Sequence, residues 1–84
     1  SHDAFLEVSA RYNTARKSAG LPVYRRLADA DDVIWFMCEF ADHAEMERAE
    51  RMLESDAALV EVIAAMYEHL VPDSVTAMTL RDLD

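Results

Sequence analysis

One octapeptide constrains this chain more than any other feature: the run from Val33 to Phe40, VIWFMCEF. It carries a single charge, Glu39, and is bracketed by Asp29, Asp31 and Asp32 before it and Asp42 after it. Its length and punctuation predict a β-strand. Side chains alternate across a strand, so Val33, Trp35, Met37 and Glu39 share one face and Ile34, Phe36, Cys38 and Phe40 the other. Both faces are largely apolar. A sheet in a small two-layer domain needs only one such face against its helices. The second face is expected to be covered by a partner subunit, a second copy of the chain.

Size points the same way. The 84 residues make one domain, 1–84, and a domain of this size buries only roughly 60–65% of its unfolded surface. Yet 52% of its residues are hydrophobic, and burial in a homodimer would absorb the excess. The formal charge of −9 repels phosphate backbones and anionic lipid, so neither nucleic acid nor membrane is an expected partner. Only Arg16 with Lys17 and Arg25 with Arg26 cluster positive charge. Cys38 is the single cysteine, which excludes an intrachain disulfide and a cysteine-rich zinc site. It fits a reducing compartment, and a cytoplasmic location is expected. No apolar run reaches the roughly 18 residues of a membrane span, and the N-terminus carries no signal-peptide pattern.

Helical periodicity flanks the octapeptide. Residues 3–19 predict an amphipathic helix with Asp3 as N-cap and Phe5, Val8, Tyr12, Ala15 and Ala19 on one face. Arg16 and Lys17 suit its C-terminal dipole, and Asn13 falls off the apolar stripe towards solvent. Gly20 is placed for a left-handed C-cap, and Pro22 stops continuation. Residues 23–28 predict a short strand that joins Val33–Phe40 through the acidic turn as an antiparallel hairpin, with Arg25 and Arg26 on opposite faces. Asp42 and Glu45 have capping-box spacing. The helix that follows bears Met46, Ala49 and Leu53, breaks at Ser55 and Asp56, and resumes with Leu59, Val62, Ile63, Met66, Tyr67 and Leu70. Pro72, Asp73 and Ser74 end it. The run 75–80, VTAMTL, predicts a last strand before an acidic tail.

This order is the α+β, ferredoxin-like βαββαβ plan with its first strand apparently missing: an antiparallel sheet with helices on one face and a sheet-to-sheet dimer on the other. The missing strand is central, and its slot cannot stay empty without stranding backbone groups. An upstream strand, a partner chain, or the final strand moving in beside Val33–Phe40 is expected to fill it.

From Phe5 to Leu80 the chain resembles the dimeric α/β barrel superfamily, in particular its antibiotic-biosynthesis-monooxygenase-like branch. The resembling elements are a helix ending at Ala19, Gly20 and Leu21, then Tyr24 and Arg25, the acidic turn, and the apolar strand ending in Glu39 and Phe40. An Asp-initiated helix broken at Ser55 and Asp56 and a closing strand complete the match. The resemblance implies two ferredoxin-like subunits packed sheet to sheet. It also implies a pocket between sheet and helices for an apolar or aromatic molecule, and in some members cofactor-independent oxygenation. The alternative is a non-catalytic dimerisation or ligand-binding domain.

For the enzymatic reading the candidate proton-transfer groups are His69, Tyr12 and Glu39, with no cofactor and no metal. Trp35, Met37, Tyr67 and Met66 are the candidate pocket wall. Each has an ordinary role beside it: Tyr12 and Trp35 as packing residues, His69 at a helix C-terminus, Glu39 as a solvated rim charge or the partner of Arg25 or Arg26. His43 with Glu47 one helical turn on supplies two ligands, too few for a metal site. One glycine cannot build a phosphate-binding loop.

Overall fold

The computed structural model describes residues 2–71, 73–81 and 83. It is α+β: α1 (His2–Ser18), β1 (Arg25–Ala28), β2 (Ile34–Met37), α2 (His43–Ser55) and α3 (Ala57–Tyr67). The strands form a two-stranded antiparallel sheet in which Arg25 pairs with Met37, Arg26 with Phe36, Leu27 with Trp35 and Ala28 with Ile34.

α1 begins one residue earlier than its sequence suggests, so Asp3 lies in the first turn, facing the helix dipole, and is not the cap. The predicted stripe is the buried one: Val8 and Tyr12 are buried, and Phe5, Ala15 and Ala19 pack against them. Its C-terminus is a Schellman motif. Leu21 N donates to Arg16 O at 2.9 Å and Gly20 N to Lys17 O at 3.1 Å, with Gly20 at φ 76°. Leu21, thrown inward by that turn, is a core residue at 5% exposure.

The hairpin turn is built by Asp29, whose Oδ1 accepts from the backbone N–H groups of Asp31 and Val33. Asp32 takes φ 60°, a left-handed conformation that aspartate tolerates better than most residues. β2 buries one row of side chains, as alternation requires: Ile34, Phe36, Cys38 and Phe40 are half-buried, and Val33, Trp35, Met37 and Glu39 exposed. Arg25 and Arg26 do face opposite ways. Arg26 reaches α1, donating to Leu6 O at 2.8 Å and Ser9 Oγ at 3.2 Å.

The long second helix breaks where Ser55 and Asp56 compete for backbone groups. Ser55 Oγ donates back to Arg51 O, while Asp56 closes α2 and caps α3 by accepting from Leu59 N. Asp42 caps α2 through Glu45 N at 2.8 Å. The reciprocal half of the capping box is replaced by an ion pair of Glu45 with Arg48. α3 lies between α1 and α2, and its Leu59, Val62 and Met66 join Val8, Tyr12, Leu21 and Ala49 as the core.

The last predicted strand is not formed. Residues 75–80 belong to no strand, and Val75, Met78 and Leu80 are 57%, 64% and 79% exposed. A strand needs a neighbour, and among the described residues nothing occupies the slot beside β2 that would supply one. The final segment has not moved in there. Of the predicted helix stop, Pro72 lies outside the described residues, as do Asp82 and Asp84 of the acidic tail. The chain exposes 6683 Å², where a compact monomer of its mass exposes about 5,000 Å². Its radius of gyration, 13.4 Å, likewise exceeds the roughly 12 Å expected for its length.

Candidate functional site

Two surfaces of the hairpin carry the side chains that could do something. The first faces α1. Its ladder of rings starts with Phe5 and Phe36, stacked with centroids 5.6 Å apart. It continues through Tyr24, 5.8 Å from Phe36 and 5.8 Å from Tyr12. Arg16 closes it. The Cζ atom lies 4.4 Å from the centroid of the Tyr24 ring and 5.3 Å from that of Tyr12. The side chain is 1% exposed yet pairs with no carboxylate among the described residues. Instead Nε donates to Pro22 O at 2.7 Å, Nη1 donates to Tyr12 Oη at 2.9 Å, and Nη2 lies 3.9 Å from Cys38 Sγ. Ring faces and neutral acceptors stabilise the buried cation.

Burial pushes the Tyr24 phenol up from 10.0 to about 12, with the Tyr12 ring beside it adding to the shift and the Arg16 charge opposing it. The raised value means the fold favours the neutral phenol. Tyr24 therefore contributes stability in full below pH 10, and that contribution drains away as pH rises from 10 towards about 12. We expect the urea midpoint to fall more steeply above pH 10 in the wild type than in Tyr24→Phe. Equal slopes in the two proteins would refute the assignment.

The second surface is the outer face of the hairpin. Val23, Leu27, Val33, Trp35 and Met37 lie here, each between 40% and 49% exposed. Register places Leu27 beside Trp35 and Arg25 beside Met37. The indole is held in place by its Nε1–H, which donates to Asp29 Oδ2 at 3.0 Å. That bond is the largest cause holding the exposed Asp29 carboxyl below the usual carboxylate pKa, ahead of the Val33 and Asp31 amides.

The structure separates the sequence-predicted catalytic candidates. Tyr12 is in the core with its hydroxyl on Arg16. Glu39 is exposed beyond the end of β2, and His69 is exposed just past α3. Among the described residues no hydrogen bond or ion pair joins any two of the three, and neither Arg25 nor Arg26 forms an ion pair with Glu39. Trp35 and Met37 share the outer sheet face. Met66 is buried, whereas its neighbour Tyr67 is 61% exposed, turned away by the 100° step of the helix. Tyr67 lines an open cleft of about 300 Å³ with Leu70, Val71, Asp73 and Val75. A second cleft, about 140 Å³, opens between Leu6 and the hairpin at Arg26, Leu27, Ala28, Asp32 and Ile34. His43 Nε2 and Glu47 Oε1 meet at 3.0 Å on the exposed face of α2.

Sequence reasoning missed Asn13 and Arg16. Asn13 is half-buried, not solvated: its Oδ1 accepts from Tyr24 N at 2.8 Å and its Nδ2 donates to Tyr24 O at 2.9 Å. Its amide thus imitates one rung of a sheet. Arg16 is sequestered, not aligned on the dipole in solvent. The signal for it was the i, i+4 row Val8, Tyr12, Arg16 along the buried face. Among the described residues no three or more histidine, cysteine or acidic side chains gather as a metal site, and no helix is long and apolar enough to cross a membrane. No protein-family model, curated protein or solved structure matches the chain.

Proposed function

We propose that the chain is a self-association module, a homodimer whose copies pack through the outer face of the hairpin, and that its role is dimerisation or ligand binding without catalysis. The observation that carries this reading is the row Val23, Leu27, Val33, Trp35 and Met37, left 40–49% exposed on one sheet face. The excess over the surface of a compact monomer is larger than the roughly 800 Å² each partner buries in an ordinary interface. The sheet-to-sheet dimer of the dimeric α/β barrel superfamily is the arrangement this face would suit.

Cofactor-independent oxygenation requires an enclosed apolar pocket holding a proton-transfer group. Between α1 and the hairpin, Phe5, Tyr12, Arg16, Tyr24 and Phe36 occupy that space with one another. His69, Tyr12 and Glu39 do not converge on either cleft. These placements favour the non-catalytic alternative.

Sedimentation tests the proposal. The wild type is expected to be dimeric at micromolar concentration. Trp35→Glu, placed on an exposed residue, should keep its far-UV circular dichroism and weaken the dimer roughly tenfold to a hundredfold. A wild type that sediments as a monomer, or a Trp35→Glu dimer of unchanged affinity, would overturn it.

A further inference from the structure

The two edges of the hairpin are not equivalent. Asp29 N donates to Val33 O at 3.1 Å, which marks the 29–33 pair as a hydrogen-bonded one. Antiparallel pairing alternates, so Leu27 with Trp35 and Arg25 with Met37 also bond directly. The N–H and C=O groups of the intervening residues then point outward: Tyr24, Arg26 and Ala28 on the β1 side, Ile34, Phe36 and Cys38 on the β2 side. On the β1 side the Asn13 amide takes both groups of Tyr24. On the β2 side, among the described residues, nothing pairs with the strand beyond β1. α1 thus occupies the first rung of one edge, whereas the β2 edge carries no such cap among the described residues and is open to a further strand.

A strand of matching character lies unused in the same chain. Residues 75–80, VTAMTL, contain neither glycine nor proline and include three β-branched residues. They expose Val75, Met78 and Leu80. Six extended residues span about 20 Å, enough to line the open edge from Val33 to Cys38.

We propose that residues 75–80 of one copy add as a third strand to the open edge of β2 in a second copy, the two copies exchanging these segments reciprocally. The inference rests on the self-association proposed above and specifies what each copy contributes. The lone chain leaves its own segment off its own sheet, so the occupant is the segment of a second copy. A two-fold exchange fills each edge once and closes. Side-chain chemistry sets the register. An antiparallel strand with Leu80 opposite Val33 and Met78 opposite Trp35 keeps both apolar residues on the outer face, where they extend the exposed row. It lets Thr79 and Ala77 take the outward groups of Ile34 and Phe36, and brings Arg81 opposite Asp32 and next to Asp31. A one-residue slip would turn Met78 and Leu80 to the helix side and lose that match. The product is a three-stranded sheet, where a two-stranded one is only marginally stable.

This register places Val75 opposite Cys38, the only cysteine, within disulfide reach. Val75→Cys, oxidised with copper phenanthroline, is expected to give a covalent dimer on a non-reducing gel, and Thr76→Cys, on the opposite face, to give none. A bridge within one chain, no bridge, or equal bridging by the two variants would overturn the exchange. Ala77→Pro provides an independent reading. It removes the N–H that Phe36 O accepts while leaving the outer face intact, and should weaken the dimer at least roughly tenfold. A dimer unaffected by Ala77→Pro sinks the exchange alone, whereas a monomeric wild type sinks the dimer reading as well.

Discussion

Replacing Leu59 by alanine is expected to lower the unfolding free energy by about 3–4 kcal/mol, within the range of core leucine truncations. Leu59 is fully buried, at 0% exposure, on the helix that touches both of the others. The three carbons removed there, one methine and two methyls, leave a void at the helix that packs against both α1 and α2, and helices held on both sides cannot collapse into it freely. The whole domain holds roughly 4–12 kcal/mol, so this single change consumes a large part of its stability. With a urea slope near 1 kcal/mol per molar for a chain this short, the midpoint should fall by about 3 M at unchanged slope. Val60→Ala serves as control. Its residue is next in sequence but 44% exposed, and its loss should stay below about 1 kcal/mol. A Leu59→Ala midpoint that matches the control would mean α3 is not the keystone of the core.

Such burial was legible in the sequence because it is local. The i, i+3, i+4, i+7 row of α3 names Leu59, Val62 and Met66 without knowing what lies opposite, and all three are buried. The Ser55 and Asp56 break, the Gly20 cap and the antiparallel hairpin follow from the same near-neighbour chemistry. The outer sheet face was legible too: alternation alone puts Trp35 with Met37 and leaves them uncovered. Three features were not. VTAMTL reads as a strand because β propensity describes fit to a neighbouring strand, and in the described chain that neighbour is missing. Tyr67 looked like a continuation of the α3 stripe, but the helix ends there and the residue stays 61% exposed. Asn13 and Arg16 are decided by backbone groups 11 and 6 residues away, Tyr24 and Pro22. Periodicity within α1 puts Arg16 on the buried row but does not reveal those contacts.

Asn13→Leu should expose the consequence of that long-range bond. The leucine keeps the branched shape of the amide and removes both of its hydrogen bonds, leaving Tyr24 N–H and C=O without partners on the side facing α1. An orphaned polar group costs about 1–3 kcal/mol when buried. Both groups here are partly buried, so the lower half of that range applies to each and a loss of about 2–3 kcal/mol is expected from urea midpoints. Asn13→Asp separates the two bonds: the carboxylate still accepts from Tyr24 N but sets negative charge against Tyr24 O, so it should lose at least half as much. The second effect is on assembly. With Asn13 in place the first rung of the β1 edge is occupied, which directs strand addition to the uncapped β2 edge. Once the β1 edge is also free, strands can add on both sides, and a closed dimer has a route to open-ended association. Light scattering on Asn13→Leu, at urea concentrations where it remains folded, should therefore show species larger than a dimer. If the variant instead stays as stable as the wild type and no larger, Asn13 does not guard the edge, and the asymmetry that directs strand addition to β2 has another source.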